Sequence, residues 1–228
     1  MNNKPFFRLY YLLYSIFGAL LVSSCSQSEN QIADFEFWKI NIVTPNPQRT
    51  IDSLVNKYNL QYKGKTSKQN GFVSGSLELA NASLQIKTYL DSSEHEPGPT
   101  EITILTNLPD SMAYKQLKEK GLDINKPFRR EGWNFSVITI PDLKILGEKS
   151  YGIYVCKLDG SKEDMVENAK WRDSVRSLTN VRLETVSVFA PNATELKKSF
   201  TKLKLGGKKP PKFNFIVDSV YKMEIEIK

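Results

Sequence analysis

Three stretches of the chain share one pattern, in which an alternating apolar and polar run is followed by apolar residues at helical spacing. They are "INIVTPNPQRTIDSL" (40–54), "ITILTNLPDSMAYKQL" (102–117) and "VSVFAPNATELKKSF" (186–200). Alternation predicts a half-buried β-strand. Ile51, Leu54, Val55 and Tyr58 recur at the spacing of one helical face and predict an amphipathic helix. Each stretch therefore predicts a strand followed by a helix.

The three stretches are internal repeats at fixed offsets. An offset of 62 residues superposes Ile40 on Ile102, and an offset of 146 residues superposes Pro45 on Pro191. Self-similarity of this kind indicates that one structural unit occurs several times in the chain.

The residues that follow the helices repeat as well. "NGFVSGSLELA" precedes "ASLQIKTYL" in the first copy, and "EGWNFSVITIPD" precedes "YGIYVCKL" in the second, so that Gly71-Phe72 matches Gly132-Trp133. Both copies predict two or three further strands. The third copy ends in "KFNFIV" and "YKMEIEIK" and is shorter, and "KEDMVENAKWRDSVRSLTN" before it predicts an inserted helix.

This order of elements resembles the vicinal-oxygen-chelate superfamily, the glyoxalase-like proteins built from βαβββ modules. The resemblance implies an α+β fold in which repeated βαβββ modules form curved mixed sheets around a cleft, with the helices outside. Another repeated α+β sandwich is the alternative. The predicted organisation is a lipoprotein signal peptide (1–24), a lipidated tether (25–34), a first module (35–92), a second module (100–160), an inserted helix (161–180) and a third, shortened module (181–228).

The N-terminal residues predict export and lipidation. Lys4 and Arg8 precede an uncharged, largely apolar run that ends at Val22, as in a secretory signal. Cys25 directly after small residues resembles the lipobox of bacterial lipoproteins, which implies a membrane anchor on Cys25; an ordinary signal peptide is the alternative. Because Ser26 follows Cys25, we expect an envelope protein on the periplasmic face of the outer membrane.

Charge and cysteine content exclude some classes of function. Of 32 basic residues, Lys4 and Arg8 lie in the signal, which leaves 30 against 25 acidic residues and a net charge of +5. This excess is small and dispersed, so we expect no nucleic-acid partner. With Cys25 lipidated, Cys156 alone remains, which excludes an intramolecular disulfide, and its apolar strand predicts a buried, inert thiol.

The resemblance also implies where a catalytic metal would be bound. In the superfamily the ligands are His, Glu or Gln at the start of each first strand and on each last strand. In this chain those positions are Lys39 and Glu101 on the first strands, and Gln85 and Cys156 near the last strands. A lysine ammonium does not ligate a metal, so we expect no metal and no other cofactor.

The remaining candidates are ligand-binding residues. The single histidine, His95, lies between two glutamates before Pro-Gly-Pro and is interpreted as a solvated loop residue. A cleft without a metal still binds small molecules through aromatic and charged side chains. The candidate ligand-binding residues are Lys39, Phe72, Gln85, Glu101, Arg129, Arg130 and Trp133.

Three functions agree with the sequence. The first is a lipid-anchored envelope protein that binds a small ligand without a catalytic metal. The second is a glyoxalase-like lyase or oxygenase with an atypical site, in which Glu101 is the base. The third is a structural or partner-binding envelope lipoprotein. The repeat also predicts that Lys39 and Glu101 form an ion pair at the mouth of the cleft.

Overall fold

The structure, a computed structural model, describes residues 34–61, 64–69, 71–90, 97–144, 152–206 and 209–228. The elements in these residues follow the order that the sequence predicts, in which a strand and a helix are followed by further strands. The strands are β1 (Phe35–Val43), β2 (Ser67–Gln69), β3 (Phe72–Leu79), β4 (Ala82–Tyr89), β5 (Gly98–Thr106), β6 (Phe135–Thr139), β7 (Ile153–Leu158), β8 (Leu183–Ala190), β9 (Lys212–Val217) and β10 (Lys222–Ile227). The helices are α1 (Pro47–Tyr58), α2 (Asp110–Glu119), α3 (Lys162–Arg176) and α4 (Ala193–Lys202), with a short 3₁₀ turn at Pro141–Leu143.

Seven strands form one mixed, curved sheet in the order β2-β3-β4-β1-β5-β7-β6. β1 and β5 are antiparallel neighbours at its centre, with Ile40 opposite Ile102. β4 runs parallel to β1 and β7 runs parallel to β5. The two modules are therefore arranged about a pseudo-twofold axis between their first strands, and the predicted α+β fold of βαβββ modules around a cleft is confirmed.

The two faces of this sheet differ in polarity because its strands alternate. Ile40, Leu84 and Ile102 point to one face and are fully or almost fully buried, together with Ile51 of α1 and Leu117 of α2. The opposite, concave face carries mostly polar side chains. Burial of the apolar face, at ~25 cal/mol per Å², holds the helices outside the cleft.

A second sheet has the strand order β10-β8-β9. β9 is parallel to β8 and β10 is antiparallel to it, as β4 and β5 are to β1. Its buried residues Val186 and Val188 belong to the same hydrophobic core as the main sheet, and Phe213 packs edge-on against Phe37 at 5.5 Å between ring centroids. The shortened third unit thus covers apolar surface of the main sheet.

The second module departs from the first in its register. Strand pairing places Ser76 opposite Gln85 in the first module and Thr139 opposite Tyr154 in the second. Counting back four residues along each strand makes Phe72 equivalent to Phe135, so the match between Phe72 and Trp133 is wrong by two residues. Loops of different length in the two copies cause this shift.

Residues 1–33, which include Cys25, and residues 91–96, which include His95, lie outside the described part of the chain. In the described part, no helix combines the length and the apolar character that a membrane crossing requires.

Asn81, in the turn between β3 and β4, joins the two sheets. Its Nδ2 donates to the Leu183 carbonyl and its Oδ1 accepts from the Leu183 amide, both at 2.9 Å. Asn81→Ala would leave both backbone groups unpaired in a buried position, so we expect a loss of ~1–3 kcal/mol in the free energy of unfolding, measured by chemical denaturation. Asn192→Ala is the matched control, since Asn192 is exposed and its side chain makes no capping hydrogen bond. Equal losses in the two variants would contradict this role for Asn81.

Candidate functional site

The concave face of the main sheet and helix α3 enclose a cavity of about 450 Å³. A bulge at Trp38 in β1 directs both Trp38 and Lys39 into it. Helix α3 forms another wall through Asn168, Trp171 and Arg172. Its volume lies in the ~300–1,000 Å³ range of small-molecule sites.

Hydroxyl and amide groups form a large part of the cavity wall. Five of them come from alternate positions of β2, β3 and β4, where every second residue faces the cleft, and the other two come from the residue before β6 and from α3. The polar, uncharged side chains that line the cavity are Ser67, Ser74, Ser76, Ser83, Gln85, Asn134 and Asn168.

The acidic side chains at the cavity already have cationic partners. Glu78 is held by Arg176 of α3 at 3.1 Å, with both side chains largely buried, and it also accepts from Ser83 at 2.7 Å. Asp159 is paired with Arg129. Both carboxylates are thereby neutralised by residues of the chain itself.

The cationic side chains at the cavity are not paired in this way. No ion pair of Lys39, Lys65 or Arg172 occurs among the described residues. The ammonium of Lys39 lies over the Trp38 ring, 4.1 Å from its centroid. The wall of the cavity therefore carries an excess of positive charge.

Burial is the main influence on Lys39 and lowers the pKa of its ammonium to about 8. The positive charge of Lys87 lowers this pKa further, whereas Cys156, Glu101 and Glu78 raise it. Because the native pKa lies below the ~10.4 of an unfolded chain, the charged form costs stability below pH 8. As the pH rises above the native pKa, Lys39 loses its proton in the folded protein and that cost is relieved. At neutral pH the charge of Lys39 therefore lowers the stability of the fold.

Beside the cavity, a buried polar cluster links the two modules across the centre of the sheet. Asn41 Nδ2 lies 3.0 Å from Glu101 Oε2, 3.0 Å from Tyr154 Oη and 3.3 Å from Thr103 Oγ1. Glu101 accepts a second hydrogen bond from Lys87 Nζ at 2.9 Å. The carboxylate of Glu101 is thus the centre of this cluster.

The charges of the cluster determine the protonation of Lys87 and Tyr154 and the orientation of the Asn41 amide. Burial would lower the pKa of Lys87, but the neighbouring Glu101 and Tyr89 outweigh it and raise this pKa. Burial and the charge of Glu101 raise the pKa of the Tyr154 phenol well above its ordinary value. Reversing the Asn41 amide would place its Oδ1 against the Glu101 carboxylate, so Nδ2 faces Glu101. Oδ1 of Asn41 is buried and accepts no hydrogen bond within the described residues.

These residues do not fit the divalent metal of the superfamily. Gln85 and Glu101 are the only oxygen donors among the four positions that the resemblance implies, and the Lys87 ammonium already neutralises Glu101. The described residues contain no group of three or more His, Cys, Asp and Glu side chains that could hold a metal ion. A cation at Glu101 would meet two lysines in place of ligands.

The structure distributes the candidate residues over three places. Lys39 and Gln85 line the cavity, and Glu101 lies in the adjoining buried cluster. Phe72 packs edge-on against Tyr89 at 6.4 Å between ring centroids. The other three candidates lie near the start of β6. Arg129 pairs with Asp159, and Arg130 lies over the ring of Trp133. Trp133 in turn stacks on Phe135.

The predicted ion pair between Lys39 and Glu101 is wrong. The two residues share the concave face, but the pairing of β1 with β5 sets Lys39 opposite Thr103 and Asn41 opposite Glu101. Glu101 forms its ion pair with Lys87 instead. The two-residue periodicity that identifies Gln85 also places Lys87 on the same face, and this was the missed signal.

The second module has Tyr154, not Cys156, in the position equivalent to Gln85. Asn41 pairs with Gln85 in the first module, and Thr103, its equivalent, pairs with Tyr154. Cys156 is buried, and this burial raises the pKa of its thiol to about 12. The prediction that this thiol is buried is confirmed.

The inserted helix was predicted, but none of its residues was predicted to belong to the site. Arg172, Trp171 and Arg176 reach the cleft because α3 packs across the end of β3, and no repeat of this helix exists from which its position could be inferred.

The fold agrees with comparisons to solved structures. No protein-family model and no curated protein sequence matches the chain. A hypothetical protein from Staphylococcus aureus is similar over 84% of this chain and 90% of that chain, with a TM-score of 0.53 and 12% identity. Methylmalonyl-CoA epimerase from Mycobacterium tuberculosis is similar over 63% of this chain and 99% of that chain, with a TM-score of 0.42 and 12% identity. A hypothetical protein from Bacillus halodurans has a TM-score of 0.43, with 14% identity, over 57% of this chain and 97% of that chain.

At these identities the similarity concerns the fold alone. The architecture is glyoxalase-like: a βαβββ module and a second module with two strands after its helix in the described residues share a curled sheet whose concave face is the cleft.

The pair of Lys87 and Glu101 gives a test of the buried cluster. Lys87→Met would leave the Glu101 carboxylate uncompensated, with a loss of ~3–5 kcal/mol in the free energy of unfolding. Adding Glu101→Leu removes that charge, so we expect the double variant to lose less than the sum of the two single variants. Chemical denaturation of all four proteins measures the coupling.

Lys39→Met is the matched control on the same face. Burial penalises the charge of Lys39, so this variant should not lose stability at neutral pH. Additive effects of Lys87→Met and Glu101→Leu, or a coupling of Glu101 to Lys39 as large as that to Lys87, would contradict the assignment.

Proposed function

We propose that this chain is a lipid-anchored protein of the cell envelope whose glyoxalase-like cleft binds a small anionic ligand without a catalytic metal. One observation carries the proposal. The cavity beside β1 and α3 has its carboxylates neutralised within the chain, while Lys39, Lys65 and Arg172 are left as cations facing the same space.

The energetics of Lys39 support an anionic occupant. Burial lowers its pKa to about 8, which means that the protein groups around the ammonium solvate it poorly. A bound anion would restore the lost solvation and raise this pKa again. Charge-assisted hydrogen bonds to such a group are stronger than neutral ones, at ~1.5–3 kcal/mol each.

The envelope location rests on the N-terminal sequence. Cys25 follows an apolar run with a cationic start, and lipidation at this residue would tether the folded part to a membrane through a short polar segment. Two or more acyl chains make a durable anchor, since each buried methylene contributes ~0.8 kcal/mol. Ser26 after Cys25 favours the periplasmic face of the outer membrane.

Binding of small anions tests the cleft. We expect at least one anion from a panel of inorganic phosphate, succinate, citrate and a hexuronate to raise the melting temperature and to bind in a calorimeter. Lys39→Met should weaken that binding at least ~10-fold, because one charge-assisted contact is lost. Lys68→Met is the matched control, since Lys68 is exposed and does not line the cavity.

The affinity should also depend on pH through Lys39. With a hexuronate, whose own carboxylate stays ionised over this range, binding is constant below the pKa of about 8, where Lys39 is charged, and weakens above it as that charge is lost. The other groups that influence Lys39 do not change charge there, since the pKa of Cys156 is about 12 and that of Lys87 is raised. A steep loss of affinity above pH 8 that persists in Lys39→Met, or no anion binding at all, would refute the proposal.

Lipidation is tested separately with Cys25→Ser. We expect this variant to leave the membrane fraction or to keep its signal uncleaved, whereas Cys156→Ser, the control, stays membrane-bound with the signal removed. Cell fractionation and the intact mass of the mature protein measure both effects. A Cys25→Ser protein that remains processed and membrane-associated would contradict the anchor.

A further inference from the structure

Two tryptophans distinguish the cavity from a simple cationic pocket. Trp38 enters it from the bulge in β1, and Trp171 enters it from α3 and is 50% exposed. An exposed tryptophan ring beside a polar cavity offers a broad apolar surface. Such a surface suits a ring whose faces carry C–H groups and whose edges carry polar groups.

The rest of the wall fits the edges of such a ring. Serine hydroxyls and the amides of Gln85, Asn134 and Asn168 line the cavity. Hydroxyl groups donate and accept, and amides present a donor and an acceptor side by side, which matches the neighbouring hydroxyls of a polyol. A mostly apolar ligand would leave these polar groups without partners, at a cost for each.

The cations of the cavity indicate that the ligand carries a negative charge. Lys39 directly follows Trp38 in β1, and Arg172 directly follows Trp171 in α3. Each tryptophan therefore has a cation beside it along the chain, and both pairs face one cavity. An acidic group on the ring would be held by Lys39 and Arg172 while the ring contacts tryptophan.

We propose that the ligand of this cleft is an acidic sugar, a hydroxyl-rich ring that carries a carboxylate or a phosphate, bound between Trp38 and Trp171 with its acidic group at Lys39 and Arg172. This inference rests on the proposed anion-binding function and narrows it to one chemical class. Binding is non-covalent and needs no co-reactant.

Calorimetry with matched ligands tests the class. The two acidic arms are hexuronates, namely glucuronate and galacturonate, and hexose phosphates, namely glucose 6-phosphate and galactose 6-phosphate. Glucose and galactose are the neutral sugars, and succinate and inorganic phosphate are the anions without a sugar ring. We expect one acidic arm to bind at least ~10-fold more tightly than both its neutral sugar and the ringless anion.

Variants identify which contact carries each part of the preference. Trp171→Ala should weaken the acidic sugar at least ~10-fold, and Trp171→Phe should weaken it less, because a ring face is kept. Arg172→Met should reduce the preference for the acidic over the neutral sugar and leave the affinity for the neutral sugar unchanged. Circular dichroism shows whether α3 remains folded in each variant.

The outcomes separate this inference from the function on which it rests. If succinate or inorganic phosphate binds as tightly as the acidic sugars, the anion-binding function stands and the sugar class is wrong. If the acidic sugars bind and Trp171→Ala and Arg172→Met bind them like the parent protein, the assigned subsite is wrong. If neither these anions nor citrate binds, the inference and the proposed function both fail.

Discussion

The antiparallel pairing of β1 with β5 is the constraint on which the rest of the structure depends. Ile40 lies opposite Ile102 at the centre of the sheet, and both side chains are fully buried. This register sends the residues on either side of each isoleucine, such as Asn41 and Glu101, to the concave face. A shift of one residue would exchange the two faces of both modules, so burial of the apolar face fixes the register of the cleft.

That register also buries charged side chains on the concave face. It places Glu101 and Lys87 in a buried position, where each charge is tolerated because the other lies 2.9 Å away. At the edge of the same face, Arg176 of α3 compensates Glu78. Among the described residues Lys39 has no such pair, and burial lowers the pKa of its ammonium to about 8, so an anion in the cleft would meet a poorly solvated charge.

Helix α3 converts an open groove into a cavity. A sheet of two modules alone provides a concave floor, whereas Trp171 and Arg172 of α3 supply a wall of different chemistry. The helix buries little apolar surface and is held by a capping box at Ser161 and the ion pair of Arg176 with Glu78. Under the proposed function, the ligand preference of the cleft would thus depend on an element that the repeated modules do not contain.

The sequence by itself determined the elements and the modular fold, because alternation and helical spacing are local and each was written more than once. The resemblance of the repeats to glyoxalase-like modules also placed Lys39, Gln85 and Glu101 at the cleft. Only the tertiary structure decided their partners: Glu101 is paired with Lys87 through the parallel pairing of β4 with β1, and Arg172 reaches the cavity through the packing of α3. Distances between residues that are far apart in the chain depend on strand register and loop length. The sequence repeat alone does not determine either of these to better than one or two residues.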